Sequence, residues 1–127
     1  MGFLAVIVAA IASYAFGAVW YMVLAKPWMA AAGITEEEIN RKDPTPFIVS
    51  FVATVVVAGM MRHVFALAGI DGAMKGLVSG FGLGLFIVTP WIATNYGFSG
   101  RPRALTLIDG GYATIGCAII GLVLALF

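Results

Sequence analysis

The sequence predicts an all-α fold: a polytopic membrane protein whose four transmembrane helices form a bundle, with a short interfacial helix in the first loop. Two observations support this prediction. The chain of 127 residues is 62% hydrophobic and only 10% charged, with a mean hydropathy of +1.06, whereas roughly a quarter of the residues in soluble domains are charged. Its apolar residues also fall into four runs, and a helix needs about 20 such residues to cross a bilayer.

The four apolar runs occupy nearly the whole chain, which leaves no room for a separate soluble domain. The first run begins at Gly2 and ends at Ala25, before Lys26 and Pro27. Because it is long for a signal peptide and follows no basic segment, we expect an anchor that stays in the membrane. The second run continues past Arg62, whose stem can lie in lipid. We therefore predict a single integral membrane domain with spans at approximately residues 2–25, 47–67, 76–98 and 104–127.

The first loop contains the stretch GITEEEINRK, residues 33–42, which predicts the short interfacial helix. Thr35 is a suitable N-cap, and Glu38 completes a capping box three residues later. Glu37 and Arg41 are four residues apart, as are Glu38 and Lys42, so each pair can interact along a helix. A helix here would orient the first two spans, and a docking site for a partner is the alternative.

The basic residues favour one orientation of the spans. Five of them lie in the first and third loops: Lys26, Arg41, Lys42, Arg101 and Arg103. The opposite side has two, Arg62 and Lys75. Since basic loops tend to stay in the cytoplasm, we predict a multi-pass protein of the bacterial inner (cytoplasmic) membrane with both termini in the periplasm.

The third span carries two signals about helix geometry. In GAMKGLVSGFGLG every fourth residue is glycine, at Gly72, Gly76, Gly80 and Gly84. On a helix this spacing makes a bare ridge that lets another backbone approach closely, either within one chain or between subunits. Pro90 removes one backbone hydrogen bond from the same span and predicts a kink, which is either static or a gating hinge.

Asp109 is the one charged residue between Ala104 and Phe127. An ionised carboxylate costs about 2.5–3.5 kcal/mol at the bilayer centre and less nearer the surface. Its neighbours on the same helical face include Tyr112 and Gly116, which are hydrogen-bonding or small rather than strongly apolar. This face should therefore point into the bundle.

Most aromatic and polar residues belong to the half of the bundle next to the first and third loops. That half contains all three tryptophans and three of the four tyrosines, whereas interfacial aromatic residues normally occur at both membrane surfaces. The asymmetry predicts a polar pocket with these candidate residues: Trp20, Tyr21, Lys26, Trp28, Trp91, Asn95, Arg101, Asp109 and Tyr112. In the alternative, structural interpretation, Asp109 pairs with Lys26, Arg101 or Arg103.

Three motifs in the same half resemble those of the domain of unknown function 1761 family. They are GAVWY at residues 17–21, KPWMAAAGIT at 26–35 and GRPRALTLIDGGY at 100–112. The resemblance covers nearly the whole chain and implies a small bacterial membrane protein with four helices. It implies no activity, because the family has no established one.

Several functional classes have no support in the sequence. The chain lacks a nucleophile paired with a base, and it has no phosphate-binding or dinucleotide-binding fingerprint, so we expect neither an enzyme nor a cofactor. One cysteine, Cys117, and one histidine, His63, argue against an intramolecular disulfide and a His-rich metal site. The scattered basic residues and a net charge of +1 argue against nucleic acid as a partner.

Two functional hypotheses remain. The first is a structural, interaction or oligomerising subunit, with the lipid bilayer and either a homo-oligomer or a larger membrane complex as partners. The alternative is a binder or transporter of a small amphiphilic or cationic solute that uses Asp109 and a pocket lined by Trp and Tyr. Small multidrug exporters also have four helices, but the carboxylate of their first span has no counterpart in this sequence.

Overall fold

A computed structural model of the protein describes residues 2–35 and 43–127, and within these residues all regular structure is helical. The helices are α1 (Gly2–Val23), α2 (Ala25–Ala32), α3 (Thr45–Ala68), α4 (Ala73–Phe98) and α5 (Arg103–Leu126). Four of them, α1, α3, α4 and α5, are long and apolar enough to cross a membrane. The predicted all-α class and the four long apolar helices are thus confirmed for the described part of the chain.

The first loop differs from the prediction. The first long helix ends at Val23, whereas the predicted span ended at Ala25, and a separate helix, α2, begins at Ala25 and continues through Lys26 and Pro27. Pro27 is tolerated because the first turn of a helix has no internal partner for its N–H groups. Gly33, with φ of 71°, ends α2 in the left-handed conformation that glycine adopts readily. The interfacial helix predicted from Thr35 onwards falls on residues 36–42, outside the described residues.

The start of α3 is fixed by a local hydrogen bond. The backbone N–H of Thr45 donates to Asp43 Oδ1 at 3.0 Å, across the intervening Pro44. This bond holds the pKa of the Asp43 carboxyl below its usual value, because the bond favours the ionised form. An acceptor in this position stabilises the first turn, whose N–H groups have no partner within the helix.

The long helices alternate in direction, and α5 lies at the centre. The packing contacts join α4 to α5, α5 to α1, and α1 to α3, with a smaller contact between α3 and α5. Half of the apolar stretch of α5 (50%) is buried, against 11–33% for the other three long helices. The up-and-down order places the α2–α3 and α4–α5 connections at the same end of the protein, as the sequence predicted for the first and third loops.

The apolar core lies at the opposite end, where both chain termini are found. It consists of small residues from α1 together with residues of α3 and α5: Ala5, Val6, Ala9, Ala10, Ala58, Met61, Phe65, Cys117, Ile120 and Leu124. Because alanines on α1 let the neighbouring helices approach closely, this end is tightly packed. At the other end the buried apolar residues are Ala32, Leu105 and Ile108, which lie among aromatic and polar side chains.

Three of the four ridge glycines pack directly against α5 of the same chain. A Cβ atom added at Gly80 would lie 2.1 Å from the carbonyl oxygen of Cys117, and Gly76 and Gly84 are similarly close to the backbone of α5. Gly72 does not take part: it precedes α4 with φ of 84°, and a Cβ there would meet nothing within 4 Å. The ridge therefore begins at Gly76, one glycine later along the chain than the sequence pattern predicted.

Pro90 is accommodated by a π-helical segment, Gly84–Val88, within α4. This wider turn makes room for the proline ring, which would otherwise clash with a carbonyl of the preceding turn. The Thr89 hydroxyl donates to the Gly84 carbonyl at 2.8 Å and lies 3.2 Å from the Thr114 hydroxyl of α5. The irregular segment is therefore hydrogen-bonded both to itself and to the central helix.

Candidate ligand-binding cleft

A cleft of about 530 Å³ opens between α1, α2 and the beginning of α3, next to α5. Its volume is within the range of small-molecule sites, roughly 300–1,000 Å³. The described residues that line it include no acidic, basic or histidine side chain: they are Tyr14, Gly17, Ala18, Tyr21, Ala25, Trp28, Met29, Pro46, Phe47, Ser50 and Tyr112. The cleft is thus aromatic and largely uncharged.

Helical spacing places these residues on common faces. Tyr14, Gly17, Ala18 and Tyr21 recur every three or four residues along α1, so they form one stripe. Gly17 makes room for Tyr112, since a Cβ at Gly17 would lie 2.6 Å from Tyr112 Cε1. A small residue at this position is needed for the tyrosine of α5 to reach the cleft wall.

Asp109 lies behind the cleft wall and joins three helices. The hydroxyl of Tyr21, on α1, donates to its Oδ1 at 2.6 Å, and the hydroxyl of Tyr96, on α4, donates to its Oδ2 at 2.5 Å. Hydrogen bonds to a carboxylate are stronger than those between neutral groups, so both tyrosines are firmly held. The half-buried carboxylate therefore fixes the ring of Tyr21 in the wall of the cleft.

The predicted ion pair of Asp109 is wrong. Asp109 forms no salt bridge with Lys26, Arg101 or Arg103, all of which the structure describes as exposed. Long basic side chains at helix ends can extend towards water. Two neutral O–H donors stabilise the Asp109 carboxylate, and this arrangement avoids the cost of removing a second charge from water.

The Tyr21 ring contacts two other aromatic rings of the cleft wall. Its ring meets Trp28 edge-on at a centroid distance of 6.4 Å and Tyr112 at 5.4 Å. Tyr112 is in turn stacked on Phe16 at 6.2 Å. Trp20 supports the cluster from behind, with its Nε1–H donating to the Ile108 carbonyl at 2.9 Å. Edge-to-face and offset contacts of this kind are the favoured geometries of aromatic pairs.

The opposite wall is closed by hydrogen bonds between α1 and α3. The Tyr14 hydroxyl donates to the Phe47 carbonyl at 3.0 Å. The Ser50 hydroxyl lies 3.1 Å from both the Tyr14 hydroxyl and the Phe47 carbonyl, so its proton also has an acceptor within the protein. The Tyr14 ring packs edge-on against Phe51 at 5.4 Å.

The nine predicted site residues divide into three groups. Tyr21, Trp28 and Tyr112 line the cleft, and Trp20 and Asp109 lie behind its wall. The remaining four, Lys26, Trp91, Asn95 and Arg101, are exposed and do not line it. Trp91 and Asn95 lie on α4, and Trp91 is 67% exposed because the face of α4 that packs on α5 is the glycine face.

Sequence reasoning missed three parts of the site. Tyr14 was counted with the other half of the protein, yet it lies on the same α1 stripe as Gly17 and Tyr21, a signal that helical spacing contains. Phe47 looked like one apolar residue among many. Tyr96 was placed in the correct half but was not named as the partner of Asp109. In residues 2–35 and 43–127, no group of three or more His, Cys, Asp or Glu side chains could hold a metal ion.

Four helices of membrane-spanning length, with a polar and aromatic cluster at one end, define a small helical protein suited to a membrane. A family model described as "Protein of unknown function (DUF1761)" matches residues 4–125, and the chain belongs to this family. Comparison with curated proteins and with solved structures finds no match for this chain.

Proposed function

We propose that this chain is a multi-pass protein of the bacterial inner membrane that binds an uncharged amphiphilic molecule in the cleft between α1, α2 and α3. The four long helices would cross the bilayer, with the cleft near the cytoplasmic surface and both termini in the periplasm. Large apolar side chains on the outer faces of the helices support insertion, for example Phe3, Val52, Phe86 and Leu107, which are 55–88% exposed. Soluble monomers rarely expose continuous apolar surface on this scale.

The observation that carries the binding proposal is the composition of the cleft wall. Aromatic rings provide a large apolar contact area, and the lining residues within the described chain include no charge. An uncharged ligand fits this wall better than a cation. Both oxygens of Asp109 already accept tyrosine hydroxyls, and the carboxylate lies behind Tyr21 instead of lining the cleft.

A structural or oligomerising role is the second candidate. The glycine ridge no longer favours it, since Gly76, Gly80 and Gly84 are used for packing within the chain. The outer face of α4 does favour it, because it exposes both Trp91 and the polar side chain of Asn95. Polar side chains between membrane helices can hold subunits together.

Tryptophan fluorescence quenching tests the binding proposal. The purified protein is placed in lipid nanodiscs and titrated with a brominated monoacylglycerol, an uncharged amphiphile whose bromine atoms quench nearby tryptophans. We expect saturable quenching at a low mole fraction of the probe. Trp28→Phe should remove this saturable component because Trp28 lines the cleft.

Trp91→Phe is the matched control, since Trp91 is exposed on α4 and does not line the cleft. It should leave the saturable component in place. Quenching that rises in proportion to the probe and falls equally in both variants would mean that the probe only mixes with the surrounding lipid, and the binding proposal would be wrong.

A further inference from the structure

Four of the residues that line the cleft carry a side-chain hydroxyl, and three of these hydroxyls are engaged within the protein. Tyr21 donates to Asp109, and Tyr14 donates to the Phe47 carbonyl. Ser50 has both that carbonyl and the Tyr14 hydroxyl within reach. The fourth hydroxyl, that of Tyr112, donates to no acceptor in the described part of the chain, although the ring contacts of Tyr112 hold it in place.

The position of the Tyr112 hydroxyl is set by its neighbours. Gly17, itself a lining residue, lies so close that an added Cβ would be 3.0 Å from the hydroxyl oxygen. The ring of Tyr112 is confined between Phe16, at a centroid distance of 6.2 Å, and Tyr21, at 5.4 Å. No buried side-chain donor lacks a partner in the described chain, so the Tyr112 hydroxyl is accessible and its proton is available to an acceptor that enters the cleft.

We infer that the ligand carries a carbonyl oxygen, that of an ester or a ketone, and that the Tyr112 hydroxyl donates a hydrogen bond to it. This inference rests on the proposed binding function. Tyr112 is then the residue that sets the chemical specificity of the cleft, while Trp28, Met29 and Phe47 contact the apolar remainder of the ligand.

The charges around the cleft favour a neutral oxygen over a carboxylate or phosphate. No basic side chain of the described residues lines the cleft, so none of them offers an anion a counter-charge. The carboxyl group of Asp109 lies directly behind Tyr21 and would repel an anionic ligand. A carbonyl oxygen can accept from Tyr112 without either penalty.

A matched pair of probes tests this specificity. One is a monoacylglycerol brominated in its acyl chain, and the other is the corresponding glycerol ether, which has the same chain and bromines but no carbonyl. Affinities are measured by tryptophan quenching in nanodiscs of ether-linked phospholipid, so that the surrounding lipid offers no ester carbonyl. We expect the wild-type protein to bind the ester about 3- to 10-fold more tightly, as one hydrogen bond would give.

Tyr112→Phe removes the hydroxyl and keeps the ring. It should lower the affinity for the ester to that for the ether and leave the affinity for the ether unchanged, which also shows that the cleft has kept its shape. Trp91→Phe is again the control: Trp91 is exposed on α4 and does not line the cleft, so this variant should keep the preference for the ester.

Equal affinities for ester and ether in the wild-type protein would overturn the inference, as would a preference for the ester that survives in Tyr112→Phe. Absence of saturable binding for both probes would instead contradict the proposed function itself. A repeat in ester-linked nanodiscs distinguishes the sources of the carbonyl. A lower apparent affinity for the monoacylglycerol there would show that the acyl esters of the surrounding phospholipid also reach the cleft, and an unchanged one would show that the cleft selects the uncharged amphiphile over phospholipid.

Discussion

Asp109 accepts hydrogen bonds from two tyrosines that belong to different helices, Tyr21 of α1 and Tyr96 of α4. Its own carboxylate is not part of the cleft wall, so in the proposed binding function it would act on a ligand only through the ring of Tyr21. Asp109 is thus a positioning residue. The sequence identifies Asp109 as unusual because it is an isolated charge in an apolar run. Its partners could not be predicted from charge, because they are neutral tyrosine hydroxyls and not basic residues.

Replacing Asp109 by Asn should lower the stability of the protein. An amide has one acceptor oxygen and no charge, so only one of the two tyrosines keeps an acceptor, and the remaining bond is weaker. We expect a loss of about 1–3 kcal/mol in the free energy of unfolding, measured by thermal or SDS-induced unfolding in detergent micelles. In the proposed ligand assay the variant should also bind the brominated monoacylglycerol more weakly.

Asp71→Asn is the matched control for this substitution. Asp71 pairs with Lys75 at 3.6 Å, but the Asp71 side chain is 88% exposed, and surface pairs contribute roughly 0–1 kcal/mol. The two variants should therefore differ clearly in stability. Equal stability of Asp109→Asn and Asp71→Asn would show that the tyrosine–carboxylate bonds do not hold α1 and α4 to α5.

At the scale of the helices, the contact between α4 and α5 depends on the absence of side chains at three positions. Gly76, Gly80 and Gly84 each bring the backbones so close that a Cβ would lie within 2.1–2.6 Å of backbone or side-chain atoms of α5. This contact holds the first half of α4 in place up to the π-helical segment. Directly after that segment, the hydroxyls of Thr89 on α4 and Thr114 on α5 form a hydrogen bond of 3.2 Å between the two helices.

Gly80→Ala should disrupt this contact. The new methyl group would lie 2.1 Å from the Cys117 carbonyl oxygen, and only a backbone shift can relieve the overlap. We expect a destabilisation of about 1–3 kcal/mol in detergent-based unfolding. Gly82→Ala is the control from the same helix: a Cβ there meets nothing within 4 Å, so stability should be unchanged or slightly higher. Comparable losses in both variants would contradict the close packing.

Some features of the helices can be predicted from the sequence and others cannot. Hydrophobic length identifies the four long helices because crossing a bilayer requires about 20 apolar residues whatever the packing. The spacing of Gly76, Gly80 and Gly84 identifies a contact face, but only coordinates show that the face belongs to an intramolecular contact. Helix α2 escaped prediction because Pro27 was taken as a stop, whereas proline is compatible with the first turn of a new helix.

The candidate site could be predicted only in part, for a physical reason. Interfacial aromatic residues serve equally well as membrane anchors and as cleft walls, so Trp91 and Trp28 look alike in the sequence, although one is exposed and the other lines the cleft. The rotation of each helix about its axis decides between the two roles. That rotation follows from packing on α5, which a single sequence does not reveal.

At the scale of the whole molecule, the protein has a tightly packed end near the chain termini and an aromatic, cleft-forming end near the α2–α3 and α4–α5 connections. Because α1, α3, α4 and α5 alternate in direction, these connections lie on one side. In the proposed membrane protein they face the cytoplasm, so that the cleft lies at the cytoplasmic surface and the turn between α3 and α4 faces the periplasm.

Site-specific thiol labelling in intact cells tests this arrangement most directly. The native thiol is removed by Cys117→Ala, and single cysteines are introduced by Asp71→Cys in the turn between α3 and α4, or by Ser99→Cys between α4 and α5. A maleimide that cannot cross membranes should label the Asp71→Cys protein from outside and should reach the Ser99→Cys protein only after the cells are opened. Labelling of the Ser99→Cys protein alone, or equal labelling of both in intact cells, would contradict the proposed orientation or the crossing of the bilayer.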